Sequence, residues 1–128
     1  MADEEKTAYK DLQVWQKAMT FAGQVICLID ELDTPRKHYK LIEQLEAAVT
    51  SIPMNIAEGK GRTSRKEFIQ FLYIARGSVY ETLTLLEIFQ RQNWISLEKF
   101  NDLELAGTEI IRMLKGLIKA IAQINNQS

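Results

Sequence analysis

Cysteine is almost missing from this chain, and with it the simplest route to rigidity. Cys27 stands alone among 128 residues, so no intramolecular disulfide can form. Set in the apolar run from Val25 to Ile29, it is expected to be a small buried hydrophobe. Histidine is as scarce: one imidazole, His38, cannot build a zinc site without suitably spaced partners. Excess charge is missing too. Sixteen Lys and Arg face seventeen Asp and Glu, a net charge of -1. That balance offers no global field to draw nucleic acid or an anionic membrane, so such binding needs a local patch. No apolar run approaches the ~18 residues that span a bilayer. Asp3, Glu4 and Glu5 are acidic where a secretory signal would be basic. The expectation is a cytoplasmic protein with no membrane partner. Gly59-x-Gly61 lacks the preceding strand and the glycine spacing of a phosphate loop. No nucleophile, base and orienting group share a pattern, so neither a cofactor nor an enzymatic activity is expected.

What remains is helix. Only two prolines and six glycines interrupt the chain, which favours long elements. Four amphipathic segments are predicted, at about 12–32, 35–58, 65–92 and 97–124. Leu12, Trp15, Met19, Ala22, Ile26 and Ile29 recur at three- and four-residue steps and predict the core face of the first, with Asp11 as its N-cap. Thr34 and Pro35 suit the start of the second. Its core face reads Leu41 or Ile42, Leu45, Val49, Ile52 and Ile56. Ser96 can cap the fourth, whose face reads Phe100, Leu103, Ala106, Ile110, Met113 or Leu114, Leu117 and Ile121. The linkers are only a few residues long, which makes consecutive helices antiparallel neighbours. The fold class is therefore all-α, an antiparallel up-down-up-down four-helix bundle over residues 11–124. Flexible termini are expected at 1–10 and 125–128.

The junction between the second and third helices is more specified than packing alone requires. Pro53 falls within the apolar period and should kink the second helix rather than end it. Gln44, Ala48, Ser51, Asn55 and Glu58 form a polar stripe beside that face. Asn55 and Glu58 are expected to tie down the following turn, with Glu58 pairing to Arg62, Arg65 or Arg76. A ligand or acid–base site is the alternative, but a single carboxylate is a poor catalytic set. Gly59 is expected as a left-handed stop, with Gly61 in the turn. Ser64 and Glu67 have capping-box spacing for the third helix.

The third helix has more apolar surface than one core face uses. Phe68, Leu72, Ala75, Val79, Leu83 and Leu86 form one stripe. A second set, Phe71, Ile74, Leu85 and Phe89, together with the small Ser78, is expected to meet another copy of the chain. Ile69, Tyr73 and Tyr80 widen the band, and the small, adjacent Ala75, Gly77 and Ser78 would let another backbone approach. Simple deep burial of this helix is the competing explanation. Lys60, Arg62, Arg65 and Lys66 fall within seven residues, with Arg76 further along, and form the candidate phosphate-binding patch. Solvated surface charge is the plain alternative.

Several motifs in order resemble the bacterial family of 23S rRNA intervening-sequence proteins. They begin at Asp11-Leu12-Gln13-Val14-Trp15-Gln16-Lys17-Ala18. They are strongest from Ser51 to Arg62, and resume at Lys66-Glu67-Phe68-Ile69, Phe71 to Ser78 and Glu81. The resemblance implies an up-down bundle assembled as a homo-oligomeric ring, usually a pentamer, with no established enzymatic activity. It also implies a relationship to accessory variability determinants of diversity-generating retroelements, which bind nucleic acid and work with a reverse transcriptase. Glu46-Ala47-Ala48 stands where the family usually carries a basic pair, and Leu83 and Leu85 stand where polar residues are common. The functional expectation is a ring-forming scaffold that engages RNA or a nucleic-acid-handling partner through the basic turn. A purely protein-binding oligomer is the alternative.

Overall fold

The computed structural model describes residues 7–32 and 38–127. It is an all-α, antiparallel four-helix bundle. The helices are α1 (Gln13–Glu31), α2 (Tyr39–Lys60), α3 (Arg65–Arg91) and α4 (Leu97–Gln127). Each packs against its sequence neighbours and α1 closes against α4; the α2–α3 pair is the most extensive. A short 3-10 turn, Ala8–Asp11, precedes α1 inside the stretch expected to be flexible. It places the Tyr9 ring edge-on to Trp15, with centroids 5.2 Å apart. Helix α4 runs three residues past its expected end at 124. The proposed Thr34 cap and Pro35 start lie outside the described residues.

The core contains Phe21, Leu45, Ile52, Ile56, Leu72, Leu86, Phe89, Ile110 and Leu114, all essentially inaccessible to solvent. The α2 face matches its sequence period. The α1 face does not. Val14, Ala18, Phe21, Val25 and Leu28 point inward with Ala22, while Met19 and Ile26 are exposed and Leu12, Trp15 and Ile29 are half-buried. Two apolar stripes about one residue apart compete on this helix, and the one carrying the bulky Phe21 faces the core. Cys27 follows from that rotation: it is exposed, not buried, and its thiol points to Glu31. Asp11 lies within the 3-10 turn, and Leu12, with no side-chain cap bond, occupies the cap position.

The other helix ends follow recognisable chemistry. Ser64 Oγ accepts from the Glu67 backbone N–H at 3.3 Å, and Ser96 Oγ from that of Lys99 at 3.0 Å. The C-terminus of α3 closes with Asn93 in the left-handed region, φ 64°. The Trp94 N–H reaches back to the Phe89 carbonyl at 2.9 Å, and the Asn93 N–H to that of Gln90 at 2.9 Å. This pair of bonds is a Schellman motif. Its hydrophobic contact is Phe89 against Trp94, centroids 4.9 Å apart, and Trp94 also meets His38 at 4.2 Å.

Candidate nucleic-acid interface

The basic turn is held by contacts along α2 and the start of α3. Helix α2 continues through Pro53 and Gly59 to Lys60. Gly59 is therefore not the left-handed stop expected, and no described glycine has a positive φ. Its role is close approach: a Cβ there would lie 2.7 Å from Phe71 Cβ and 3.3 Å from the Phe68 carbonyl oxygen. Gly61 ends α2 in an ordinary right-handed conformation. Arg62 then turns back, its guanidinium 2.6 Å from Glu58 Oε1 and 4.0 Å from Glu67 Oε2. It also sits over the Phe71 ring, 4.9 Å from the centroid. Lys60 lies over Phe68 at 5.8 Å and Arg76 over Tyr73 at 5.0 Å. Arg65 and Lys66 are exposed and make no ion pair among the described residues. Arg76 is three helical turns beyond Arg65, roughly 16 Å along α3. The cluster proper is thus Lys60, Arg62, Arg65 and Lys66. Lys60, Arg62, Thr63, Ser64, Arg65 and Phe68 line a cleft of about 280 Å3 against Ile121 and Ile124 of α4.

The polar stripe on α2 divides by depth. Ser51 and Ser78 share a hydroxyl–hydroxyl bond across the α2–α3 seam. Asn55 Nδ2 donates to the Ser51 carbonyl at 2.8 Å and to its hydroxyl at 3.2 Å. Asn55 therefore braces its own helix and not the turn; Glu58 alone of the two reaches Arg62. Gln44 bonds Glu81 at 3.3 Å on the outer edge of the seam. Among the described residues no buried side-chain N or O lacks a partner, and no group of three or more His, Cys, Asp or Glu is placed to hold a metal ion.

These depths set unequal stability effects. Glu58 and Arg62 are 56% and 41% exposed. Glu58→Ala should therefore cost only about 0.2–1 kcal/mol, an effect that shrinks with salt. Asn55→Ala, which removes a half-buried donor, should cost about 0.5–1.5 kcal/mol and be insensitive to salt. Urea melts at low and high ionic strength check both. A loss above ~2 kcal/mol for Glu58→Ala would exclude a solvent-screened pair as its role.

The proposed oligomer face needs correction. Ser78, Leu85 and Phe89 are buried inside the protomer, so they are unavailable to a second copy. Ser78 and Thr82 tolerate the core because each hydroxyl bonds the carbonyl four residues back, Ile74 and Ser78 respectively. Phe71 is half-buried beneath Arg62. Ile74 stays outside at 52% exposure, joined on the outer face of α3 by Tyr73, Tyr80 and Ile88. Met54 of α2 is 67% exposed. It lies level with Ile74 in the antiparallel register set by the Ser51–Ser78 bond. Leu83, unusual for the resemblance, packs onto α4, where a Cβ on Gly107 would meet its Cδ2 at 2.8 Å. The two leucines of α3 therefore serve the protomer.

The profile of the 23S rRNA-intervening sequence proteins matches residues 10–116. The chain belongs to this family. A solved structure from Bacteroides thetaiotaomicron, a protein of unknown function from the S23 ribosomal protein family, is 32% identical. It superimposes with a TM-score of 0.77 over 83% of this chain and 98% of that one. A search of curated proteins finds no match.

In this intervening-sequence protein the near-zero net charge conceals an axial separation. The Ser51–Ser78 bond and the Leu83–Gly107 contact mark one level across α2, α3 and α4, near Arg112. Toward the 61–64 turn lie residues 7–16, 52–77 and 113–127, with eight cationic and three acidic side chains, a charge of +5. Toward the 92–96 turn lie residues 17–32, 38–50 and 79–111, with four cationic and ten acidic side chains, a charge of -6. Sequence order hides this, because antiparallel helices visit each end in alternation.

Proposed function

We propose that the protein is a non-enzymatic homo-oligomeric scaffold whose basic end engages RNA. The observation that carries the assembly is the outer face of α3. Tyr73, Ile74, Tyr80 and Ile88 are each more than one-third exposed there, as is Met54 on α2. Gly77 lies at the centre of this face. A Cβ at Gly77 would meet no atom within 4 Å, so the protomer itself does not require a glycine. Close approach of a second backbone would. A ring, pentameric as the family resemblance implies, would gather the basic ends of its subunits on one rim. Affinity for a polyanion rises with the number of phosphates neutralised, so the rim would bind where one +5 end is weak. The family's name ties its members to 23S rRNA genes, which supports RNA as the partner. A reverse transcriptase as protein partner rests on the resemblance alone.

One observation favours assembly without nucleic acid: Arg62 is already engaged by Glu58, Glu67 and Phe71. Light scattering and RNA titration separate the readings. The wild type should have a multiple of the 14.7 kDa chain mass, and Ile74→Glu should return it toward one chain with helicity intact. A wild type that runs as a single chain at micromolar concentration would end the scaffold reading. Arg65→Ala with Lys66→Ala should leave the mass at high salt unchanged and weaken RNA binding. It should also flatten the salt dependence of binding by about one log unit for each phosphate no longer neutralised. A wild type that binds no RNA even at ~50 mM salt leaves the protein-only scaffold.

A further inference from the structure

We propose that the two ends of this bundle are docking surfaces for each other, so that copies associate head to tail along the bundle axis. The partner is a second copy of the chain, acidic end to basic end. The +5 and -6 halves are complementary in sign and close in size. Helix dipoles do not cancel this polarity, because each end presents two helix N-termini and two C-termini in the antiparallel fold.

The end charges are also available. Among the described residues the ion pairs are Lys17–Glu109, Arg62 with Glu58 and Glu67, and Arg91–Glu87. Glu98, Asp102 and Glu104 on the first turns of α4 are exposed and make none of these pairs. Arg65 and Lys66 at the opposite end are equally exposed and equally outside them. Contact between unlike ends is heterologous, leaving an acidic end free at one extremity and a basic end at the other, so growth continues as a stack. The contact holds whether the unit is one chain or a ring, since all subunits of a cyclic ring point the same way. RNA bound at Arg65 and Lys66 would compete with a neighbour's acidic end; that clause alone rests on the RNA reading.

The test is light scattering at pH 7.5 without RNA, at about 10 mM and about 1 M salt, where charges act over roughly 30 Å and 3 Å. The mean mass at low salt should be at least twice that at high salt. Mass that is unchanged, or that rises with salt, overturns the proposal. Two surface variants then identify the contact. Glu98→Gln with Asp102→Asn and Glu104→Gln removes the acidic docking groups; Arg65→Gln with Lys66→Gln removes the basic ones. Each alone should lose the low-salt growth, and an equimolar mixture should regain a single step, a doubling of mass. Retained growth in either variant, or a mixture that stays at the variants' own mass, rejects end-to-end docking in favour of loss of solubility near the isoelectric point. The acidic-end variant keeps the basic turn, so its RNA titration reports on RNA binding independently of stacking.

Discussion

Phe89→Ala should lower the unfolding free energy by about 3–5 kcal/mol while leaving the mass of the protein in solution unchanged. The Phe89 ring has no solvent exposure. It sits in the last turns of α3, edge-on to Trp94, and its carbonyl accepts the Trp94 N–H that closes the helix. Truncation strips apolar packing and leaves a cavity, because Phe89 fixes the position of Trp94 and Trp94 in turn abuts His38. The loosening should therefore reach the end of α3 and the start of α2, with loss of near-ultraviolet tryptophan dichroism in the native state. Urea denaturation and light scattering on the same variant check the two halves of the expectation. A loss below ~1 kcal/mol together with a changed subunit number would return Phe89 to a subunit interface and contradict its burial in the protomer.

The residues that sequence reasoning placed wrongly share a cause. On α2 the apolar side chains form one stripe bordered by polar groups, so the helical period singles out Leu45, Val49, Ile52 and Ile56, and these are buried. On α1 two apolar stripes lie side by side, and period alone ranks neither. Burial goes to the stripe with Phe21, leaving Met19 and Ile26 outside. On α3 the misleading signal was the width of the apolar band. Ser78 was expected to meet a second copy together with Leu85 and Phe89, but its hydroxyl and that of Thr82 return to the helix backbone and carry little desolvation cost into the core. Once those two face inward, Leu85 and Phe89 rotate in with them. Ile74, Tyr73 and Tyr80 are left outside.

The candidate site divides in the same way. Local chemistry was legible: the Ser64 and Ser96 caps and the Glu58–Arg62 pair need only a few neighbouring residues, and each is formed. The Schellman closure at Asn93 went unread, because asparagine tolerates the left-handed conformation but signals it more weakly than glycine. Arg76 over Tyr73 is likewise local, three residues apart on α3, but the rings under Lys60 and Arg62 and the axial separation of charge depend on where helices lie relative to one another. No window of sequence contains that. A net charge of -1 describes the sum and conceals the arrangement.

Gly59→Ala should destabilise the bundle by about 1–3 kcal/mol, although alanine is the better helix former by about 1 kcal/mol. The added methyl would stand 2.7 Å from Phe71 Cβ, 3.0 Å from a Phe68 ring carbon and 3.3 Å from the Phe68 carbonyl oxygen. Phe71 Cβ and the Phe68 carbonyl are fixed to the α3 backbone, so no side-chain rotation relieves the clash and the helices must separate. At Gly107 the nearest atom, Leu83 Cδ2 at 2.8 Å, is the far end of a flexible side chain that can swing away, so Gly107→Ala should cost less. Gly23 and Gly116 have nothing within 4 Å, and alanine at either should stabilise by about 0.4–1 kcal/mol. The series keeps the chemistry constant and varies only the neighbour, so urea melts of the four variants read steric approach directly. Separation at Gly59 should also shift Phe68 and Phe71 from beneath Lys60 and Arg62. If the basic turn binds RNA as proposed, the affinity at low salt should fall with stability in this variant and stay constant in the other three. A Gly59→Ala protein as stable as its Gly23 and Gly116 counterparts would show that α2 and α3 do not touch at this point, and would leave the glycine beside the basic turn without a steric reason.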